Sequence, residues 1–238
     1  MGRYPPIVIE LPDGSLVKMT GRIDRIDSMK DEDGTYLRII DYKSGNRDLE
    51  LGDVYYGLQL QLLTYLDAVM GNEEGSDSRR KMLPAGVLYF KLDDPLIRCS
   101  RDSTDEEIER AVMKQLRMKG LVLADVKVVR EMDRQIDGDS LIIPARIRKD
   151  GSLGRSSAAT HEQFMALRRH VRKVLADIAK GIMDGDVAIR PYKKKAITAC
   201  KYCGYSPVCR FDTSFRDNQY RVLADYKDDE LWKLMTQV

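Results

Sequence analysis

Two short segments constrain this chain more than any others: Gly21-Arg22-Ile23-Asp24-Arg25-Ile26-Asp27 and Ile39-Ile40-Asp41-Tyr42-Lys43-Ser44. Side chains on a strand alternate faces, so a strand through the second segment points Asp41 and Lys43 the same way. Between the segments, Asp31-Glu32-Asp33-Gly34 is a turn signal, which makes them the arms of a hairpin. A two-residue turn at Asp33-Gly34 sets Asp24 opposite Lys43, and a four-residue loop over 31–34 sets it opposite Asp41. Either register gathers the three charges on one face; only an odd-length loop or a bulge would separate them.

Two carboxylates and a lysine make a poor core, because burying unpaired charge costs several kcal/mol. A solvent-facing sheet with a local ion pair would carry the same residues. The alternative is a hard cation: carboxylate oxygens suit Mg²⁺ or Mn²⁺, which bind through one or two carboxylates plus substrate phosphate. Ile39-Ile40 favours that alternative, since the strand is apolar up to the charge and then switches abruptly. A lysine beside such a metal can stabilise charge on an attacked phosphate. If Asp24 and Asp41 repel each other, removing one should slightly stabilise the metal-free fold.

The rest of the chain predicts a mixed α/β fold. Strands are expected at 7–11, 16–27 and 36–43, forming an antiparallel meander of three. Asp53 reads as the N-cap of one apolar helix over 54–70, with Gln61 and Tyr65 one turn apart. That pair reads by itself as a helix edge at the surface. Residues 84–92 predict a buried strand. The capping box at Thr104 opens a helix that Gly120 would end near Lys119. A short strand is expected over 141–147 and a mobile loop over 148–159. A second capping box at Thr160 starts a helix to about Met183, and a last periodic stretch covers 228–235. His161 and His170 are expected on the surface of that Thr160 helix.

The 238 residues carry 40 basic and 38 acidic side chains, a net charge of +2 that excludes a generally polycationic binder and leaves only local runs to consider. Arg168-Arg169-His170 with Arg172-Lys173 reads as a solvated face or a contact surface. Lys193-Lys194-Lys195 is expected near a nucleic-acid path. No stretch reaches the ~18 apolar residues of a membrane helix. The opening Met1-Gly2-Arg3-Tyr4-Pro5-Pro6 lacks the apolar centre of a secretory signal, so a cytoplasmic location is expected. Of four cysteines, Cys200, Cys203 and Cys209 lie within ten residues, a spacing of metal or cluster ligands rather than cross-links. Three thiolates need a fourth partner for tetrahedral zinc or an iron–sulfur cube, and the context of Cys99 does not mark it as that partner.

Taken in order, Gly21 to Asp27, Ile39 to Ser44 and Gln61-Leu62-Leu63-Thr64-Tyr65 resemble the successive motifs of RecB-like PD-(D/E)XK nucleases. Further stretches resemble the C-terminal nuclease domain of the B subunits of bacterial ATP-dependent helicase–deoxyribonucleases (AddB-type). They include Val54-Tyr55-Tyr56-Gly57-Leu58, the segment from Pro84 to Phe90, Met118-Lys119-Gly120-Leu121, and Cys200-Lys201-Tyr202-Cys203-Gly204-Tyr205. The resemblance implies a restriction-endonuclease-like mixed sheet flanked by helices, with a nuclease core at 1–190 and a cysteine-rich tail at 191–238. It implies Asp24 and Asp41 as Mg²⁺ ligands with the Tyr42 carbonyl, Lys43 as the catalytic lysine, and Gln61 and Tyr65 as accessory residues. It also implies that Cys200, Cys203 and Cys209 are three ligands of a 4Fe-4S cluster whose fourth lies upstream of this chain. Residues 196–215 are then expected to be poorly ordered, differently folded or held by adventitious zinc.

By the same resemblance, the chain is the C-terminal piece of a larger protein. It would act on DNA, as an exonuclease in end resection during recombinational double-strand break repair, paired with a helicase–nuclease partner subunit. No P-loop pattern occurs, so ATP chemistry is not expected here. Two other readings share the fold: a non-catalytic DNA-binding or scaffold module, and a stand-alone RecB-like iron–sulfur nuclease. The presence of Asp24, Asp41 and Lys43 together favours the enzyme.

Overall fold

The turn at 31–34 is the four-residue alternative: Asp31 N–H donates to the Gly34 carbonyl, and Asp31 Oδ1 accepts from Asp33 and Gly34 N–H. In the computed structural model, which describes residues 6–74 and 81–237, that turn joins two strands of a larger mixed sheet. Only the sixth of the opening residues read above as non-secretory falls inside the described range.

The strands are β1 (Ile7–Glu10), β2 (Leu16–Met19), β3 (Arg25–Lys30), β4 (Thr35–Lys43), β5 (Met82–Lys91), β6 (Lys119–Leu123), β7 (Gly138–Asp139), β8 (Arg146–Ile147), β9 (Ala158–Ala159), β10 (Tyr192–Lys194), β11 (Ile197–Thr198) and β12 (Arg221–Val222). The helices are α1 (Leu51–Tyr55), α2 (Gln61–Glu74), α3 (Asp105–Leu116), α4 (Val126–Met132), α5 (His161–Met183), α6 (Ser206–Cys209) and α7 (Asp228–Thr236).

The central sheet has the order β3-β4-β5-β6-β9. β4 runs antiparallel to β3 and parallel to β5, and β6 antiparallel to β5. The single strand expected over 16–27 is therefore two. β2 pairs with β1 in a separate hairpin, and Thr20 to Asp24 break the ladder before β3 joins the sheet. The expected meander does not form, because the neighbour of β4 on its far side is β5 and not a preceding strand.

α2 and α5 cover one face of the sheet. Leu37, Ile39, Val87 and Tyr89 from the sheet pack there with Leu62, Leu63, Leu66, Phe164, Leu167 and Val171. α7 returns to this core through Leu231 and Met235. The opposite face carries Ile40, Leu88, Val122 and Val129 over the irregular segment at 136–147. Each such large side chain, buried from water, contributes about 1.5–3 kcal/mol.

Several expected boundaries move, and glycine explains two of them. The helix expected over 54–70 breaks into α1 and α2 at Gly57, whose φ of +80° ends α1, while Leu58 and Gln59 N–H turn back onto the Asp53 carbonyl. Asp53 is inside α1 rather than its cap. Gly120 does not end α3, which stops at Leu116; it sits inside β6 at φ +137°, and a Cβ there would lie 2.2 Å from the Val87 carbonyl oxygen. Only β8 forms from the strand expected over 141–147. The loop expected over 148–159 folds back so that β9 pairs with β6 at the sheet edge. Both capping boxes form as expected, at Thr104 and Thr160. Among the described residues, no helix is long and apolar enough to cross a membrane.

Candidate active site

β4 buries Leu37 and Ile39 under α2, so the same face two and four residues later presents Asp41 and Lys43 at the strand's C-terminal end. Asp41 is buried, and its Oδ2 lies 2.5 Å from Lys43 Nζ. Arg25 pairs with Ile40, so Asp24, one residue before β3, falls beside Asp41. Its Oδ2 accepts the Tyr42 N–H at 3.0 Å. The three charges expected on one face are gathered there.

Gln61 opens α2 directly above them. Its Nε2 donates to Asp41 Oδ1 at 3.1 Å and lies 3.1 Å from the Tyr65 hydroxyl, while its Oε1 accepts from Lys43 Nζ at 3.0 Å. An amide is suited to this place, because it offers an acceptor to an ammonium and donors to a carboxylate at once. The pair that sequence alone places at a helix edge therefore joins the site. Tyr65 in turn leans on Gly21, where a Cβ would come within 3.3 Å of the ring.

Tyr89 is a neighbour that the sequence reading missed. It pairs with Asp41 across β4 and β5, and Lys43 Nζ lies 5.8 Å from its ring centroid. Burial, and then the Asp41 charge, raise its phenol above the ordinary value. The signal was available: Tyr89 shares the strand parity of Val87, but the parity matters only once β5 is known to lie beside β4.

Tyr42 points to the other face, edge-on to Phe90 at 5.8 Å. Asp27 also lies away from the site. It accepts from Arg25 Nε at 2.8 Å and Arg38 Nε at 3.1 Å. Burial pushes its carboxyl up, but those two guanidiniums outweigh burial and hold it below its usual range.

The donor set fits a hard cation. Asp41 Oδ2 is buried, ion-paired to Lys43 and met by no donor in hydrogen-bond geometry, and Asp24 approaches from the adjacent strand. Among the described residues, no three His, Cys, Asp or Glu side chains form a metal-holding group. An ion held by Asp24 and Asp41 would therefore complete its shell with water and substrate oxygen, as Mg²⁺ does.

The tail is ordered into short elements. Cys200 lies on a 3-10 turn (Ala199–Tyr202) and Cys209 ends α6. Cys200 is half-buried; Cys203, Cys209 and Cys99 are exposed, and all four are free thiols. The donors have the right chemistry for a cluster, but the fold does not bring the three together as a ligand group. The lysine run is turned inward: Lys194 Nζ reaches Glu50 at 2.5 Å and Asp53 at 2.6 Å, Lys195 pairs with Asp225 at 2.9 Å, and Lys193 lies 5.7 Å from the Tyr220 ring centroid.

The basic run on α5 is also partly internal. Arg168 is buried and binds Asp67 Oδ1 at 2.9 Å, and Arg172 binds Asp67 Oδ2 at 2.7 Å. His170 is not a surface residue: it is buried, stacked on Tyr55 at 5.2 Å, with Nε2 3.0 Å from the Tyr55 carbonyl oxygen. The neighbouring aromatic sits in α1, which a single long helix would have carried elsewhere. His161 is half-buried.

A strand pair ending in two aspartates and a lysine, closed by a helix that carries Gln and Tyr, defines a class. The PD-(D/E)XK nuclease superfamily model matches residues 3–210, and the chain belongs to that superfamily. The chain is 60% identical over 237 residues to the B subunit of the ATP-dependent helicase/deoxyribonuclease of Acetivibrio thermocellus, covering 99% of this chain and 21% of that protein. It is 55% identical over 237 residues to the corresponding protein of Ruminiclostridium cellulolyticum, covering 100% and 20%. With that of Clostridium novyi it shares 58% identity over 233 residues, covering 98% and 20%. The chain thus spans about a fifth of the length of these relatives.

Proposed function

We propose that this chain is the catalytic domain of a Mg²⁺-dependent deoxyribonuclease that hydrolyses DNA phosphodiester bonds. The observation that carries the reading is the junction of Asp24, Asp41, Lys43 and Gln61 at the end of β4. Asp24 and Asp41, with the Tyr42 carbonyl, would hold the ion. When bound, it polarises the scissile phosphate and lowers the pKa of a water. Lys43 stands where it can neutralise the attacked phosphate, its ammonium fixed by Asp41 and Gln61. Gln61 positions both Asp41 and Lys43, and Tyr65 supports Gln61.

The relatives' names support a wider setting: a DNA exonuclease of recombinational double-strand break repair, paired with a helicase–nuclease partner and located in the cytoplasm. The core at 1–190 and the cysteine-bearing tail at 191–238 are then joined by Lys194, Tyr56 and α7. Tyr56 contributes by donating to the Ala224 carbonyl at 3.2 Å and accepting its N–H at 2.9 Å. In the larger protein Cys200, Cys203 and Cys209 would ligate a 4Fe-4S cluster with one further residue, and thiolate chemistry and spacing support that role. The direct test of the catalytic reading is cleavage of a labelled DNA strand by the intact protein with Asp24→Asn or Asp41→Asn. Each is expected to lose Mg²⁺-dependent cleavage; full activity in either would remove that carboxylate from the site.

A further inference from the structure

The row of side chains that begins at Asp41 continues across the sheet. Asp41 pairs with Tyr89, and Tyr89 pairs with Lys119 at the start of β6. Directly paired residues share a face, and two strand spacings place Lys119 about 10 Å from Asp41 along the row. Lys119 Nζ donates at 2.9 Å to Asn46 Oδ1, on the loop that leaves β4 just after Lys43. The lysine is thus held at the rim of the same site, from the opposite strand.

Beyond Lys119 the surface is concave, a groove of about 460 Å³ lined in part by Lys114, Arg117, Arg155, Ser156 and Ser157. Four cations face two carboxylates there, Asp48 and Asp139. Asp139 is engaged by Arg146 at 3.3 Å, and Asp48 lies 4.0 Å from Lys119. Lys114 and Arg155 have no ion-pair partner among the described residues. Each of these side chains belongs to a different element: α3, β6, or the turn that leads into β9. A surface that faces one way from three elements and keeps unpaired cations suits an extended polyanion better than internal stability.

We infer that Lys119, with Arg155 beside it, binds a backbone phosphate of the DNA strand one or two nucleotides from the bond cut at Asp41. Successive phosphates of an extended strand lie about 6–7 Å apart, so a 10 Å offset falls within that range. The inference rests on the nuclease reading above. It adds that the strand runs from the end of β4 across β5 to β6, towards the 155–157 turn and not over the Lys193–Lys195 run. Lys119 would be a substrate-binding residue with no part in the chemical step.

Oligonucleotides with a single uncharged methylphosphonate, moved stepwise away from the cut, test this in the intact protein. In the parent protein one position near the cut should lower kcat/KM about tenfold, the size of one charge-assisted hydrogen bond. Lys119→Ala should itself lose about tenfold in kcat/KM, mostly through KM, and be insensitive to methylphosphonate at that position. Lys119→Arg should retain the sensitivity, which separates lost charge from lost folding. If Lys119→Ala keeps the full methylphosphonate profile, the inference is overturned. Undiminished cleavage by Asp41→Asn in the same assay would instead defeat the nuclease reading, so the two failures are distinguishable.

Discussion

Lys43 on β4 and Gln61 on α2 are 18 residues apart, yet Lys43 Nζ donates to Gln61 Oε1 at 3.0 Å, and the same amide donates back to Asp41. One side chain therefore orients both the carboxylate and the ammonium. Gln61→Leu removes both bonds without adding charge. Cleavage by the intact protein should fall about 10- to 100-fold, the usual cost of losing a group that orients a ligand, with little change in melting temperature. A Gln61→Leu variant that cuts at the parent rate would show that Asp41 and Lys43 hold themselves in place.

Asp41 carries a second expectation, opposite in sign to the one that sequence alone suggests. A carboxylate pair would gain stability from losing one member, but Asp41 is already neutralised by Lys43. Asp41→Ala strands that ammonium and the Gln61 amide in a half-buried pocket. The metal-free fold should lose about 1–2 kcal/mol, because one partner of a buried pair is left behind. Chemical denaturation without divalent ions measures this; a stabilised variant would mean that repulsion from Asp24 dominates.

The positions of these residues were legible to different degrees. Asp24, Asp41 and Lys43 could be read from period-two alternation because a hairpin of even loop length leaves them no choice of face. Gln61 and Tyr65 could not, since an amphipathic period says which residues share a helix face and not what that face meets. The break at Gly57, which aims the start of α2 at Asp41, depends on a positive φ that the tertiary fold imposes. Tyr89 and Lys119 were invisible for a related reason: parallel pairing of β4 with β5 joins segments far apart in sequence, and no local signal sets that register.

Asp67 offers a test of the scaffold under the site. It is buried on α2 and receives Arg168 and Arg172 from α5, so it ties the two helices that cover the sheet. Asp67→Ala leaves Arg168 buried without that carboxylate and should cost about 3–5 kcal/mol. Asp67→Asn, which retains an acceptor, should cost less. Thermal unfolding of both variants decides this; equal stability to the parent would show that the pair is dispensable to α2–α5 packing.

His170 makes the fold sensitive to acid. Burial lowers its pKa below the ordinary 6.5, and burial lowers His161 as well. Below about pH 6.5 the unfolded chain takes up protons that the folded chain resists, so stability is full above that pH and declines as pH falls through the folded-state values. His170→Gln can keep a donor to the Tyr55 carbonyl without titrating. The decline in unfolding free energy between about pH 6.5 and 5 should become shallower, with His161 supplying the remainder. An unchanged slope would assign the acid sensitivity to His161 or to carboxylates.

Lys194 separates two roles for the lysine run. Read as sequence, Lys193-Lys194-Lys195 looks like a phosphate contact, but Lys194 bridges Glu50 and Asp53 on and beside α1. Burial lowers its pKa, yet the bonds to Asp53 and Glu50 outweigh burial and leave it raised. Its charge is therefore spent inside the chain, holding β10 against the core. Lys194→Ala should speed limited proteolysis between residues 191 and 223 several-fold, because the loss of an anchor raises local opening. Its effect on the salt dependence of DNA binding should be small, whereas a phosphate contact would change the slope by about one unit. A variant with the altered slope and unchanged proteolysis would return the run to the DNA path.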